Sequence, residues 1–212
     1  MATTRATRLA ASLAAATALM GLVGCNDSKD DSSKPAPSTA NPDLEKLLMQ
    51  DGEEPGFVRG AQPHAQPSSL QTLTGVDAIV AEFHLTDADK TRLTSEGFIQ
   101  LVAGPIKAGT DSAGVTNVSL YATADGAAHS QANDLMPDVV TAGGPLTGLV
   151  FFDVPGIPGA RGWSATEPPV ANVLWSAGRC YYTLGNQGPG DLKTQLVKGA
   201  TAIYERTKDS CP

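Results

Sequence analysis

The 212-residue chain has few of the residues that usually mark a metal site or a catalytic centre. It contains only three histidines and three cysteines, and aromatic residues make up 5% of the sequence. His64, His84 and His129 lie far apart and match no zinc-binding spacing such as His-Glu-x-x-His. No glycine-rich phosphate-binding loop follows a predicted strand. We therefore expect neither a metal nor any other cofactor.

The chain also lacks an excess of basic residues. It has 15 Lys and Arg against 22 Asp and Glu, a net charge of -7. The first 24 residues carry Arg5 and Arg8 and no acidic residue, so without them the net charge becomes -9. A surface of this sign repels phosphate backbones and anionic lipid headgroups. We expect no nucleic-acid partner, and membrane attachment should not depend on a basic patch.

The apolar run near the N-terminus is too short to span a membrane. Leu9 to Gly24 gives 16 uncharged residues, fewer than the roughly 20 that a spanning helix needs, and the sequence turns polar at Asn26. A basic start, a short apolar stretch and small residues at its end are typical of a secretory signal. We therefore predict a cleaved signal over residues 1–24.

The end of this signal, Leu22-Val23-Gly24-Cys25, resembles the lipobox of bacterial lipoproteins, in which a small residue precedes an invariant cysteine. The resemblance implies cleavage before Cys25 and acylation of its thiol. It also implies attachment to the outer face of the cell membrane through two or three acyl chains, which is enough for stable anchoring. The alternative is an ordinary secretory signal in which Cys25 has no special role.

Composition divides the rest of the chain into two parts. Residues 25–41 are rich in Ser, Pro and charged residues and contain no large apolar residue, so they are predicted to form a flexible stalk carrying the lipid. Residues 42–212 are sufficient for one extracytoplasmic domain with a real core.

If Cys25 is acylated, two cysteines remain, Cys180 and Cys211, in an exported chain where thiols can oxidise. We predict that they form a disulfide. The alternative is two free buried thiols in a reducing compartment.

The sequence around Cys180 predicts a β-hairpin that supports this pairing. A two-residue turn at Ala177-Gly178 would place Trp175 opposite Cys180. The core-facing residues of the hairpin are then Val173, Trp175, Cys180, Tyr182 and Leu184. The last helix has one apolar stripe, made of Leu192, Leu196, Ala200 and Ile203. That stripe can lie across the hairpin and bring Cys211 near Cys180.

The remaining periodicity predicts an α+β fold: a single domain with a mostly antiparallel sheet, helices packed on it and one disulfide. Strands are expected at 55–60, 76–85, 98–104, 115–122 and 146–154. Helices are expected at 42–51, at 86–97 with Thr86 as its cap, and at 123–140 with a break at Pro137. The apolar stripe of the third helix is Ala128, Ala132, Leu135 and Val139, and residues 61–75 are expected to form a loop.

Two weak catalytic candidates remain. His84 and Glu82, two apart on the polar side of the predicted strand 76–85, would project together and could exchange protons. Ser112 lies in a Gly-rich turn, but Thr110 stands where the Gly-x-Ser-x-Gly elbow requires glycine. The simpler interpretations are a solvated strand face and a surface turn.

Arg161 and Trp163 are the candidate binding residues. They follow two Pro-Gly-type turns in residues 154–163, and an amphipathic pair on a loop suits contact with a protein or a glycan. The alternative is a plain connection in which Trp163 belongs to the core and Arg161 lies over it.

As a whole the chain is similar to small secreted lipoproteins of unassigned function from high-GC Gram-positive bacteria. The similarity lies in the lipobox signal, the acidic Ser/Pro stalk, the "LEKLL" segment and the late "GRCYYTLG" strand with its terminal "CP". It implies an exported, membrane-anchored domain. Because the sequence assembles no catalytic motif on that domain, we predict a non-catalytic binding or sensor-like module. Its candidate partners are an exported protein, a wall component or a small molecule. A cell-surface hydrolase using Ser112 or His84 is the alternative, and a solute-binding protein is a weaker third.

Overall fold

The structure is a computed structural model that describes residues 41–61, 67–108, 111–142 and 144–211. Within these ranges eight strands form one sheet in which every pairing is antiparallel. The strands are β1 Val58–Arg59, β2 Gln71–Thr74, β3 Phe98–Ala108, β4 Ser112–Tyr121, β5 Val150–Asp153, β6 Arg161–Thr166, β7 Pro169–Ala177 and β8 Cys180–Gln187. Their spatial order is β1-β3-β4-β8-β7-β6-β5, with β2 also paired to β3. The predicted α+β class with an antiparallel sheet is confirmed.

Helices pack on both faces of this sheet. They are α1 Val76–Phe83, α2 Asp87–Glu96, α3 Ala124–Asp134, α4 Pro137–Val140 and α5 Leu192–Thr207, preceded by a 3-10 turn at Leu44–Leu47. One face carries Trp175 and Tyr182 and is covered by α5 and the 3-10 turn. The opposite face carries Leu101 and Tyr181 and is covered by α1, α2 and α3. We call these the α5 face and the α3 face.

The β7–β8 hairpin has the predicted core face but a different turn. Its turn residues are Gly178 and Arg179, so Trp175 lies opposite Tyr182 rather than Cys180. Gly178 has a φ of 54°, and type II′ hairpins place a glycine with positive φ at this first turn position. The predicted register was therefore wrong by two residues. Because side chains alternate with a period of two, the same residues still face the core.

The C-terminal helix and the disulfide agree with the prediction. In α5 the residues Leu192, Leu196, Ala200 and Ile203 are buried against the α5 face. Cys180 and Cys211 are bonded, with their Cα atoms 5.8 Å apart. The bridge fixes the end of the chain to the first residue of β8.

Residues 76–83 form a helix, where a strand was predicted over 76–85. The apolar residues that alternate in this segment also fit a helical spacing. Val76 and Ile79 are three apart, and both pack on the α3-face core. The helix ends at His84, whose φ of 51° is left-handed and whose N–H binds the Val80 carbonyl.

Two further predictions near the N-terminal part were wrong. The helix expected at 42–51 is limited to the 3-10 turn Leu44–Leu47, whose side chains Leu44 and Leu47 are buried. The loop expected at 61–75 contains β2, which pairs with β3. A short edge strand made of Gln and Thr with one Leu has little hydrophobic periodicity, which explains why pattern analysis missed it.

In the third predicted helix the break at Pro137 is confirmed but the buried face differs. Helix α3 ends at Asp134, and Pro137 begins α4. Ala128, Ala132 and Val139 of the predicted stripe are exposed. The buried face consists of Gly126, Ala127, Ser130 and Gln131. The helix buries small and polar side chains because hydrogen bonds to the sheet satisfy them.

The disulfide should contribute strongly to stability. It closes a loop between residues separated by 31 positions, so loop entropy predicts that replacing both Cys180 and Cys211 with Ala lowers the free energy of unfolding by ~3 to 4 kcal/mol. Urea unfolding of the oxidised, reduced and doubly substituted proteins measures this difference. Two thiols that alkylate in the untreated protein would contradict the bridge.

Candidate functional site

One end of the α3 face is left partly uncovered by the helices. Phe151 on β5 lies opposite Trp163 on β6, and Trp163 lies opposite Asn172 on β7. One step along the strands, Thr183 on β8 lies opposite Asn117 on β4. All five side chains are only partly buried. We call this group, together with Arg161, the open face.

The open face begins where the cover of helices stops. Leu174 and Tyr181, at 3% and 5% exposure, lie beneath the helix layer. In the next row of paired residues, Asn172 on β7 lies opposite Gly185 on β8. A Cβ on Gly185 would lie 2.1 Å from Asn172 Oδ1, so the amide of Asn172 occupies the space that a side chain at 185 would fill. The glycine thus positions a polar group over the middle of the sheet.

A hollow borders the open face on the side of α4. Its volume is about 370 Å³, and it is lined by Leu135, Pro137, Phe151 and Arg161. Neighbouring Met136 and Val139 are 49% and 38% exposed. Apolar side chains, an aromatic ring and one guanidinium thus meet in a single depression, which is the usual composition of a small-ligand site.

Arg161 is available to a ligand. Its Nε lies 3.0 Å from Asp153 Oδ1, and the two side chains are 50% and 86% exposed. Exposed ion pairs contribute at most about 1 kcal/mol, so exchanging Asp153 for a ligand group costs little. Asn117 adds a polar atom, since its Oδ1 is buried and has no hydrogen-bond partner among the described residues.

Helix α3 is fixed beside the open face by buried polar contacts. Tyr181 donates a hydrogen bond to Asp134 Oδ2 at 2.9 Å, and Gln131 donates to the carbonyl of Leu174. Burial raises the pKa of the Asp134 carboxyl, whereas hydrogen bonds from Asn133 and Tyr181 lower it. These bonds position the wall of the hollow that Leu135 supplies.

A second polar chain joins α2, α3 and the sheet. Tyr121 donates to Ser130 Oγ at 2.6 Å, and Ser130 donates to Glu96 Oε2 at 2.9 Å. Arg92 binds the same Glu96 oxygen at 2.8 Å. The pKa of Tyr121 is raised, chiefly by burial, so its hydroxyl remains a donor. These contacts account for the polar buried face of α3.

The structure places the predicted binding pair on a strand rather than on a loop. Arg161 and Trp163 lie two apart on β6 and therefore project from the same face. Trp163 packs against the α3-face core while remaining partly exposed, and Arg161 lines the hollow. The sequence missed Phe151, Asn172, Thr183 and Asn117, because only the order and register of the strands bring them to this pair.

The catalytic candidates are not arranged as the sequence reasoning required. Glu82 and His84 belong to α1 and its C-cap, where residues two apart point in widely different directions. Ser112 begins β4 opposite Ala108, at the β3–β4 turn. Cys25 and His64 lie outside the described residues.

Neither a metal centre nor a membrane span is found in the described part of the chain. No group of three or more His, Cys, Asp or Glu within it is placed to hold a metal ion. Its helices are all too short or too polar to cross a bilayer.

Comparison with known proteins gives one structural match. No family model matches the chain, and no curated protein matches it. The chain is similar to the extracellular domain of PknH from Mycobacterium tuberculosis, with 13% sequence identity and a TM-score of 0.48. The match covers 77% of this chain and 94% of the PknH domain.

The two tryptophans give a direct test of the open face. Trp163 is partly exposed, whereas Trp175 is 1% exposed and stacks on Tyr182 with ring centroids 5.0 Å apart. Iodide should therefore quench the emission of Trp163 and spare that of Trp175. Trp163→Phe should remove most of the quenchable emission, and Trp175→Phe should leave it. Equal quenching in both variants would contradict the geometry.

Proposed function

We propose that the protein is a non-catalytic, extracytoplasmic binding module, held at the outer face of the membrane by lipid on Cys25. Its ligand site is the open face. The observation that carries this proposal is the grouping of Arg161, Trp163 and Phe151 beside a hollow of about 370 Å³.

The chemistry of the open face suits recognition. A partly exposed indole next to a phenyl ring offers apolar contact area at a low cost in side-chain entropy, and aromatic and Arg side chains dominate the energetics of many interfaces. Asn172, Thr183 and Asn117 provide amide and hydroxyl groups within the same surface. Such a mixture of apolar area and hydrogen-bonding groups is typical of sites for small polar molecules or glycans.

The anchor is supported by the sequence alone. The motif at residues 22–25 provides the acylation site, and the acidic composition argues against attachment through basic residues. A stalk over 25–41 would separate the membrane from the first described residues.

Cell fractionation tests the anchor. Cys25→Ser should leave an unprocessed or mislocalised precursor, because the thiol that accepts the lipid is absent. Ser28→Ala, which leaves the thiol in place, is the matched control and should fractionate with membranes. A Cys25→Ser protein that is correctly cleaved and remains membrane-bound would contradict the lipobox assignment.

Sedimentation with purified cell walls tests the open face with a wall component as ligand. Trp163→Ala should weaken retention of the detergent-solubilised full-length protein by at least about tenfold, as expected for loss of a central aromatic contact. Phe83→Ala removes an aromatic side chain that is 43% exposed on α1 and should have no effect. Equal retention of wild type and Trp163→Ala would reject the open face as the site of wall binding.

A further inference from the structure

The segment between the predicted stalk and β1 is packed over the α5 face. It covers residues 43–57, and we call it the strap. Five of its apolar side chains are almost fully buried: Leu44, Leu47, Leu48, Met49 and Phe57. They join the same core as Ile106 and Val118 of the sheet. The strap therefore covers part of this core.

Polar contacts from α5 and β4 fasten the strap to the rest of the domain. Arg206 on α5 donates hydrogen bonds to the carbonyls of Lys46 and Leu48, at 2.5 and 2.8 Å, and forms an ion pair with Glu53. The Met49 amide donates to Thr116 Oγ1 on β4 at 3.0 Å.

Glu54 joins the strap to β8 through a buried carboxyl group. Its side chain is 0% exposed, and its carboxyl accepts a hydrogen bond at Oε1 from the amide of Asn186 on β8. Glu54 Oε2 and Asn186 Oδ1 have no hydrogen-bond partner among the described residues. An anionic carboxylate in this position would be poorly satisfied, because burying a charge is costly unless it is paired.

Two glycines shape the space around this pair. A Cβ on Gly199 of α5 would lie 3.0 Å from Glu54 Cβ. A Cβ on Gly114 of β4 would lie 2.0 Å from Asn186 Oδ1. The absence of side chains at these two positions thus leaves room for the Glu54 carboxyl and the Asn186 amide.

Among the described residues, no positive charge contributes to the pKa of Glu54. On α5 the candidates are Arg206, which is engaged by Glu53, and Lys198, which is exposed. On β8 the titratable group of this face is Tyr182, and on β4 the titratable Tyr121 belongs to the α3-face core. Burial raises the pKa of Glu54 to about 7, and the Asn186 hydrogen bond opposes the shift.

The sign of the pH effect follows from this raised pKa. In the open strap Glu54 would be solvated and ionise near the ordinary value of 4.5, whereas in the docked strap it ionises near 7. Docking is therefore strongest at acidic pH. It weakens as the pH rises through the interval between the two values, and the weakening is complete above about 7.

We propose that the strap is a proton-controlled latch, docked firmly when Glu54 is protonated and opening more often when Glu54 is ionised. Opening would expose Ile106 and Val118 on the sheet. It would also add up to 15 extended residues, roughly 50 Å, to the tether that precedes the domain. The reach of the domain from its attachment point would then depend on the pH outside the cell.

Hydrogen exchange of the full-length protein at pH 5.5 and pH 8.5 tests the latch. The reporters are the strap amides of Leu48 and Met49, with β8 amides as the reference for global unfolding. Glu54→Gln keeps the shape of the side chain and cannot ionise. The ratio of wild-type to Glu54→Gln protection at each pH cancels the intrinsic pH dependence of exchange. Relative to Glu54→Gln, wild-type strap protection should fall roughly tenfold to thirtyfold between the two pH values. It should also stay below β8 protection at both, because the strap opens without global unfolding.

Glu53→Gln is the matched control. It removes the neighbouring carboxylate, which is paired with Arg206, so it should lower strap protection by a similar factor at both pH values and keep the wild-type pH dependence. The latch is rejected if wild type and Glu54→Gln change equally with pH. It is also rejected if Glu53→Gln abolishes the pH dependence, or if strap and β8 amides are equally protected, since the strap would then open only with global unfolding.

Discussion

The position of α5 across the sheet is the constraint on which the rest of the structure depends. The bridge from Cys180 to Cys211 fixes the residues after this helix to the start of β8, and the apolar stripe of the helix covers the α5 face. Gly199 then brings the helix close enough to enclose Glu54, while Arg206 in its last turn holds the strap. The disulfide, the helix and the strap therefore form one connected layer.

The two faces of the sheet differ in how completely they are covered. The α5 face is closed over nearly its whole described extent, with Trp175 and Tyr182 stacked beneath the helix. The α3 face receives shorter helices attached through polar groups, and one of its ends stays partly uncovered. A domain stabilised mainly from one side can leave part of the other side accessible to a ligand. In our account the open face binds, and the strap on the opposite face sets how the domain is tethered.

Residue patterns predicted the elements whose burial is one-sided and apolar. The stripe of α5, the core face of the β7–β8 hairpin and the cap of α2 at Thr86 follow directly from spacing and cap chemistry. The pattern failed where apolar spacing fits two periods, as at Val76 to Leu85, and where a helix buries polar groups, as at Ser130 and Gln131. In α3 the tertiary hydrogen bonds that make polar burial favourable have no local signature.

The candidate site was predictable only in part for the same reason. Arg161 and Trp163 stood out because they follow unusual turns, and they do lie together. Their neighbours come from β5, β7, β8 and β4, whose order departs from the chain order. Glu54 had no sequence signal at all, since a carboxylate in an acidic, turn-rich segment is normally exposed.

Intact mass spectrometry of the native protein extracted from membranes tests the central claim most directly, because it reports the state of Cys25 and any bound compound together. The account predicts an acylated chain beginning at Cys25 that carries a compound, with the compound lost from Trp163→Ala and retained by Phe83→Ala. A mature chain with an unmodified thiol at Cys25 would contradict the anchor. A bound compound that survives Trp163→Ala would contradict the open face as its site.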